Sequence, residues 1–360
     1  MKTHSNYYVF NDIEESLDEL EMLAKTLNFD VVDRVTQTLE KFDPSFYIGK
    51  GKLEKVRQMI DDLKVENVIF DDELSPSQLR NIENKLNCKV LDRTQLILNI
   101  FAKNARSAEA KLQVELAQLE YLLPRLYGKG RQLSRLGGGI GTRGPGETKL
   151  EADKRKIKKK IRILRKKLET LSKQRELRRS RRLKNKIPTV AIVGYTNVGK
   201  STLLKRLSKY ENIVVEDKLF STLSSLTKRV RLINEREILF TDTVGFIKKL
   251  PHTIIEAFKS TLEEIKYSNL ILIVIDSSDR YYEHKLFVVE KVLEEIGSMH
   301  QQRILVFNKI EICPNEWLEN LRNKHPDSIF ISAKRGIGIK KLLEMVEKEI
   351  FEENIHDEVI

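Results

Sequence analysis

Cysteine is almost missing from this 360-residue chain. Cys88 and Cys313 stand far apart, with no zinc-ligand spacing and no set that could build a disulfide framework. The six histidines are scattered, which argues against a metal cluster. Long apolar runs are missing too: the longest, Leu270 to Ile275, falls far short of the about 20 residues that cross a bilayer. The opening stretch MKTHSNYYVF holds no apolar h-region, so no secretory signal is expected. These absences together predict a cytoplasmic protein without a membrane span. Glycine is sparse except in one place, since eight of the 16 fall between Gly128 and Gly146.

What is present is a globular, strongly solvated composition, 40% apolar and 33% charged, long enough for two or three domains with their own cores. The net charge of +12 is unevenly placed. Residues 149–186 hold 19 Lys/Arg against four acids, an excess of +15, so the rest of the chain sums to −3. The question of an anionic partner is therefore local to that segment.

Residues 1–92 alternate short apolar runs with helical patterns. Strands are predicted at 7–10, 31–39, 67–70 and 88–91, and helices near 12–27, 50–63 and 76–86, the last opened by Ser75-Pro76. That alternation predicts a small parallel sheet with helices packed on it. Gly49-Lys50-Gly51 has the look of a phosphate loop without its full spacing, and a plain turn is the other reading.

Residues 93–186 change character. Leu112, Leu116, Leu119, Leu123 and Leu126 are spaced 4, 3, 4, 3, and Ile157, Ile161, Leu164, Leu168 and Leu171 repeat that spacing. Two equal stripes flanking one loop predict an antiparallel helical hairpin of coiled-coil type, with the glycine-rich stretch 128–146 at its tip. A basic excess of this size on one arm suits contact with an anion or a nucleic acid, with Arg131, Arg135, Arg143 and Lys149 as the candidate residues; a flexible tether is the alternative for the glycine-rich stretch. Ile187-Pro188 closes the basic helix, a regular α/β pattern follows over 187–350, and 351–360 form an acidic tail.

The chemistry lies in the α/β pattern. A buried-strand run, Val190 to Val193, leads into Gly194-Tyr195-Thr196-Asn197-Val198-Gly199-Lys200-Ser201 and then a helical pattern. This is a P-loop in its strand–loop–helix context: the glycines let backbone N–H groups wrap phosphates at a helix N-terminus. Lys200 would reach the β- and γ-phosphates, and the Ser201 hydroxyl would ligate magnesium. Asp242-Thr243-Val244-Gly245 follows a second apolar run, with Asp242 set to hold the magnesium shell through water and the Gly245 N–H near the γ-phosphate. Between them, Phe220-Ser221-Thr222-Leu223-Ser224 supplies Thr222 as a second magnesium-contacting hydroxyl. Lys200, Thr222 and Gly245 are thus the candidate catalytic groups. Asn308-Lys309-Ile310-Glu311 and Ser332-Ala333-Lys334, each after a strand, are candidate base readers.

In order and spacing these five elements resemble the guanine-nucleotide-binding GTPases. RLGGGIGTRGPGETKLEADKRKI, GYTNVGKS, LFSTL, DTVGFIKKLPHTIIEAFKSTLEE and the N-terminal FYIGKGKLEKV together resemble the HflX family of translational GTPases over most of the chain. The resemblance implies an α/β fold: a P-loop GTPase domain, a small N-terminal α/β domain and a helical arm. It also implies a cytoplasmic enzyme that hydrolyses GTP to GDP, binds the large (50S) ribosomal subunit and ribosomal RNA, and helps dissociate stalled or idle ribosomes. A GTP-dependent assembly factor, or an RNA-binding protein without splitting activity, is the alternative.

Three positions bear on mechanism. Many GTPases place Gln after the glycine of Asp-x-x-Gly to orient the attacking water; here it is Phe246, which cannot hydrogen-bond water, so slow hydrolysis alone is expected. Asn197 is the residue type that helps hold potassium beside the phosphates in some related GTPases, and a loop-stabilising role is equally open. Glu311 departs from the usual Asp of the fourth motif by one methylene, which leaves guanine preference less secure than the phosphate chemistry.

Overall fold

A computed structural model describes residues 13–126, 145–184, 187–208, 219–220, 223, 226–232 and 234–351. Two compact units emerge: residues 1–103, 111–169 and 251–257 in the first, and 104–110, 170–250 and 258–360 in the second. Among the described residues no helix is long and apolar enough to cross a membrane.

The first unit opens with α1 (Ile13–Thr26), and α2 (Lys50–Leu63), β1 (Asn67–Phe70), α3 (Pro76–Leu86), β2 (Lys89–Asp92) and α4 (Arg93–Asn104) follow. β1 and β2 pair in parallel from Asn67↔Lys89 to Phe70↔Asp92. The expected helix starts are borne out for physical reasons. Ser75 accepts the Gln78 N–H, the Gln78 side chain accepts the Ser75 N–H, and Pro76 fills the first helical position. Gly49 is the N-cap of α2, so Gly49-Lys50-Gly51 begins a helix. The strand expected at 31–39 is a correction. This stretch is irregular, and Val31, Val32 and Val35 stay exposed. Its alternation is real, but among the described residues it finds no neighbouring strand to satisfy its backbone. The expected strand at 7–10 and the tip residues Arg131, Arg135 and Arg143 lie outside the described residues.

Two further helices, α5 (Ala108–Arg125) and α6 (Pro145–Lys184), follow. The two expected stripes meet: Leu116, Ile161 and Leu164 form a buried cluster with Leu112, Leu119, Leu123, Ile157 and Leu168 packed on it. Beside the seam, Arg165 donates to Glu120 at 2.7 Å and Lys160 pairs with Glu115. Such exposed pairs add little stability, so the apolar seam carries the packing.

The second unit is built on β3 (Thr189–Gly194), α7 (Lys200–Ser208), β4 (Leu226–Arg231), β5 (Glu237–Asp242), α8 (His252–Lys266), β6 (Leu270–Asp276), α9 (Tyr282–Glu295), β7 (Gln302–Asn308), α10 (Asn315–Lys324), β8 (Ile329–Phe330) and α11 (Ile339–Phe351). α8 begins in residues assigned to the first unit. The strands form a six-stranded sheet in the order β4-β5-β3-β6-β7-β8, with only β4 antiparallel. β3 and β6 are buried almost throughout, which explains why they read as continuous apolar runs. Register brings Ile192 opposite Asp242, Gly194 opposite Val274, and Asp276 opposite Asn308. The carboxyl ends of four neighbouring strands therefore open on one edge, the usual ligand edge of such sheets.

Candidate nucleotide site

The loop from Gly194 to Lys200 has the backbone its glycines require. Gly194 sits at φ +151°, where a Cβ would lie 2.3 Å from the Val274 carbonyl oxygen. Gly199, at φ +94°, would place a Cβ 2.4 Å from the Asn308 side-chain nitrogen. Asn197 itself adopts φ +61°, a left-handed turn that asparagine tolerates better than most residues. The loop is zipped to the segment after β5: Thr196 N–H donates to the Phe246 carbonyl at 2.8 Å, and Phe246 N–H donates to the Gly194 carbonyl at 3.2 Å.

Lys200 opens α7 and curls back into the loop, donating to the carbonyls of Tyr195 at 2.7 Å and Gly194 at 3.1 Å. It is buried, and the loss of solvent pushes its ammonium down to about 8 from 10.5, with Asp242 working the other way. Ser201 donates its hydroxyl proton to Asp242 Oδ2 at 2.7 Å, so the hydroxyl and carboxylate named from sequence do converge. Thr243 donates to the Ile192 carbonyl at 2.9 Å and is wholly buried, which makes it a structural member of its motif. Gly245 leaves room for the loop: a Cβ there would meet the Thr196 side chain at 2.9 Å and the Lys200 Nζ at 3.0 Å. Val244 is buried. Phe246, at 1% exposure, turns its ring into the core and cannot face a water in the site.

The base-reading motifs are joined by Asn308. Its amide donates to the Val198 carbonyl at 2.8 Å, and its side-chain oxygen accepts the Ala333 N–H at 2.9 Å. One side chain thus ties the P-loop to Ser332-Ala333-Lys334. Lys309, at φ +66°, pairs with Asp276 at 2.7 Å and leads into a short 3₁₀ turn, Ile310–Ile312, that carries Glu311. Among the buried oxygens that have no hydrogen-bond partner are Thr196 Oγ1 in the P-loop and Glu311 Oε2. Buried polar atoms are normally satisfied, so both mark places where a polar ligand group fits.

Leu219, Phe220 and Leu223 are buried, and Phe220 takes φ +57° while its carbonyl accepts from the Asn104 side chain at 2.8 Å. Ser221, Thr222 and Ser224 lie outside the described residues. Sequence reasoning missed Asp276, which holds Lys309, and Arg206, which donates to the carbonyls of Ala333 and Lys334. The run VID before Ser277-Ser278 could have signalled Asp276, because its carboxylate accepts both the N–H and the hydroxyl of Ser278.

A six-stranded, mostly parallel sheet with this loop, this Ser201–Asp242 pair and this Asn308 bridge defines a P-loop GTPase. Three family profiles tile the chain: "GTP-binding GTPase N-terminal" over residues 14–102, "GTP-binding GTPase Middle Region" over 104–182, and "50S ribosome-binding GTPase" over 189–309. The chain is 53% identical over 340 residues to GTPase HflX of Caldanaerobacter subterraneus subsp. tengcongensis, covering 94% of this chain and 78% of that one. It is 49% identical to GTPase HflX of Lacrimispora saccharolytica (97% and 82% covered) and 38% identical to that of Escherichia coli (96% and 81%). The chain belongs to the HflX family of GTPases, and it binds and hydrolyses GTP.

Proposed function

We propose that this GTPase docks on the large ribosomal subunit and uses GTP binding and hydrolysis to dissociate stalled or idle ribosomes, acting in the cytoplasm. The observation that carries the nucleotide half is the Asn308 bridge, which holds the phosphate loop and the base loop as one frame. In this reading the P-loop amides and Lys200 hold the β- and γ-phosphates, and Lys200 is released from the Tyr195 and Gly194 carbonyls to do so. Ser201 and Asp242 offer a hydroxyl and a carboxylate 2.7 Å apart, a hard-oxygen pair suited to magnesium, with Thr222 completing the set. Magnesium, when bound, neutralises charge building on the phosphate oxygens. Asn197 is the candidate for a potassium contact. Glu311 accepts from the donor edge of the base, while Asn308, Lys309, Ser332, Ala333 and Lys334 frame the rest of it.

The ribosomal half rests on the basic excess of 149–186 and on the match of residues 189–309 to the 50S ribosome-binding GTPase family. We divide the chain accordingly into an N-terminal domain (1–92), a basic helical arm (93–186) with a tip at 128–146, and a GTPase domain (187–350). Arg131, Arg135, Arg143 and Lys149 make the RNA contacts. Because Phe246 turns away from the site, water must be oriented by another group, and the ribosome supplies or orders it. Multiple-turnover GTP hydrolysis, measured with and without large subunits, tests this: slow turnover alone and marked stimulation are expected. Equal rates in both conditions overturn the reading. Replacing residues 130–145 with a short Gly-Ser turn should leave GDP affinity intact and abolish ribosome dissociation in sedimentation; full splitting by that variant would reduce the tip to a linker.

A further inference from the structure

We infer that Arg206, on the helix that begins with the phosphate lysine, is a positioning residue for base selectivity: it sets the orientation of the Ser332-Ala333-Lys334 loop. Its Nε donates to the Ala333 carbonyl at 3.1 Å, and a second guanidinium nitrogen donates to the Lys334 carbonyl. On the other side, Asn308 Oδ1 accepts the Ala333 N–H at 2.9 Å. The Ala333 residue is therefore gripped at both its N–H and its C=O. A trans peptide is planar, so a carbonyl directed at Arg206 forces the N–H of the same peptide, here that of Lys334, to face the opposite way. Arg206 thereby decides where that donor is presented.

The loop is shaped to accept this grip. Gly336 lies at φ +79°, with the Arg206 guanidinium 3.7 Å from where its Cβ would stand. Gly338, at φ +73°, would drive a Cβ to 2.5 Å from the Phe330 carbonyl. Ser332 and Ile337 close a tight bridge, and the Ser332 hydroxyl accepts the Arg335 N–H at 3.0 Å. Much of the Arg206 side chain faces solvent, but its planar fork matches two successive carbonyls, which a lysine ammonium cannot do with the same geometry.

Guanine presents two donor groups and one carbonyl acceptor, O6. A carboxylate such as Glu311 can only accept, so it can serve the donors. The O6 acceptor needs a donor: the Ser332 and Ala333 N–H groups are already given to Ile337 and Asn308, so the Lys334 N–H supplies it in the reading proposed above, on which this inference rests. Arg206 then acts on O6 recognition and leaves recognition of the 2-amino group to Glu311.

The test is calorimetric titration of the full-length protein with three diphosphates: GDP, IDP, which lacks the 2-amino group, and 2-aminopurine ribonucleoside diphosphate, which lacks O6 and with it the N1 proton, so that the O6 share is read from the change between wild type and the Arg206 variants, in which Glu311 is untouched. Wild type should prefer GDP over both. Arg206→Ala should narrow the GDP preference over the 2-aminopurine nucleotide about tenfold, the worth of one hydrogen bond. The GDP preference over IDP should move less than about twofold, and Arg206→Lys should recover part of the lost selectivity. Unchanged O6 selectivity in Arg206→Ala, or equal loss of both preferences, overturns the inference. Where Arg206→Ala melts too low to titrate, Arg206→Lys carries the test, and it must show the same one-sided narrowing to a lesser degree. A wild type that fails to separate GDP from the 2-aminopurine nucleotide would instead overturn the base-reading assignment itself.

Discussion

Asp71 and Asp92 stand at the carboxyl ends of the two-stranded sheet, as Asp242, Asp276 and Asn308 do at those of the six-stranded sheet. Both sheets are parallel, and both put polar residues where ligands usually bind. In the first, the carboxylates are answered from within. Arg93, at 1% exposure, pairs with Asp71 at 2.6 Å and with Glu19. Asp92 accepts the N–H groups of Leu74 and Gln95, and Arg125 reaches it at 3.3 Å. In the second sheet, Lys200 is held by neutral carbonyls rather than by a carboxylate, and Thr196 Oγ1 and Glu311 Oε2 stay unmatched. The difference lies in the cations: Arg93 and Arg125 are spent on carboxylates at the first edge, whereas Lys200 at the second is held by neutral carbonyls that an anionic ligand can displace.

The largest effect should come from the clamp. Arg93→Met removes the cation that the buried Glu19 and the half-buried Asp71 share, which is expected to cost about 3–5 kcal/mol. Urea unfolding of the full chain measures it, with GDP affinity unchanged in the fraction that stays folded. A loss below about 1 kcal/mol would show that the first sheet's polar edge is not a clamp and would erase the contrast.

Lys200→Ala should behave in the opposite way. Charge-assisted hydrogen bonds to phosphate are each worth about 1.5–3 kcal/mol, so GDP binding should weaken at least about a hundredfold. Without nucleotide, however, the variant should melt no lower than wild type, because the buried ammonium is held in an environment that disfavours its charge. A clear drop in the nucleotide-free melting temperature would place Lys200 with Arg93 as a structural residue.

The same lysine gives a pH signature. Burial lowers it to about 8 in the folded protein, against 10.5 when unfolded. Below about 8 both forms are protonated, and the cost of burying the charge is fully present. As pH rises from about 8 towards 10.5, the folded form is neutral while the unfolded form still binds the proton, so nucleotide-free stability should rise. GDP affinity should run the other way, flat below about 8 and falling up to about tenfold per pH unit above it, since phosphate demands the protonated form. Titrations in buffers of different ionisation enthalpy should show proton uptake at high pH; none would mean the lysine stays charged.

The phosphate loop was legible in the sequence because local geometry alone dictates it: Gly194 and Gly199 meet obstacles that only glycine avoids. The start of α3 was legible for the same reason, since Ser75, Pro76 and Gln78 satisfy the helix end among themselves. The stretch 31–39 misled because alternation states which face could be buried and says nothing about whether a partner strand exists. Arg206 was invisible because its partners lie 127 and 128 residues away, and nothing in its own neighbourhood sets it apart from other helix-surface arginines. The Asn308 bridge was half legible: the motif named the residue, but its amide's reach to Val198 appears only once the two strands are side by side.

The smallest effect tests how finely the second sheet's edge is tuned. Glu311 stands where related GTPases carry Asp, on a 3₁₀ turn that follows Lys309 at φ +66°. The left-handed Lys309 and its pairing with Asp276 fix where that turn begins, so the extra methylene must be absorbed by the side chain. A carboxylate accepting two hydrogen bonds from a base edge discriminates by about 1–3 kcal/mol when the fit is good, and a strained pair yields a fraction of that. Glu311→Asp should therefore tighten GDP binding a few-fold and widen the gap over ADP, with no change in nucleotide-free melting. Competition titration decides it. Weaker GDP binding by the variant would mean that the turn is already set to the longer side chain, and that the Oε2 atom buried there stands at its proper reach for the base.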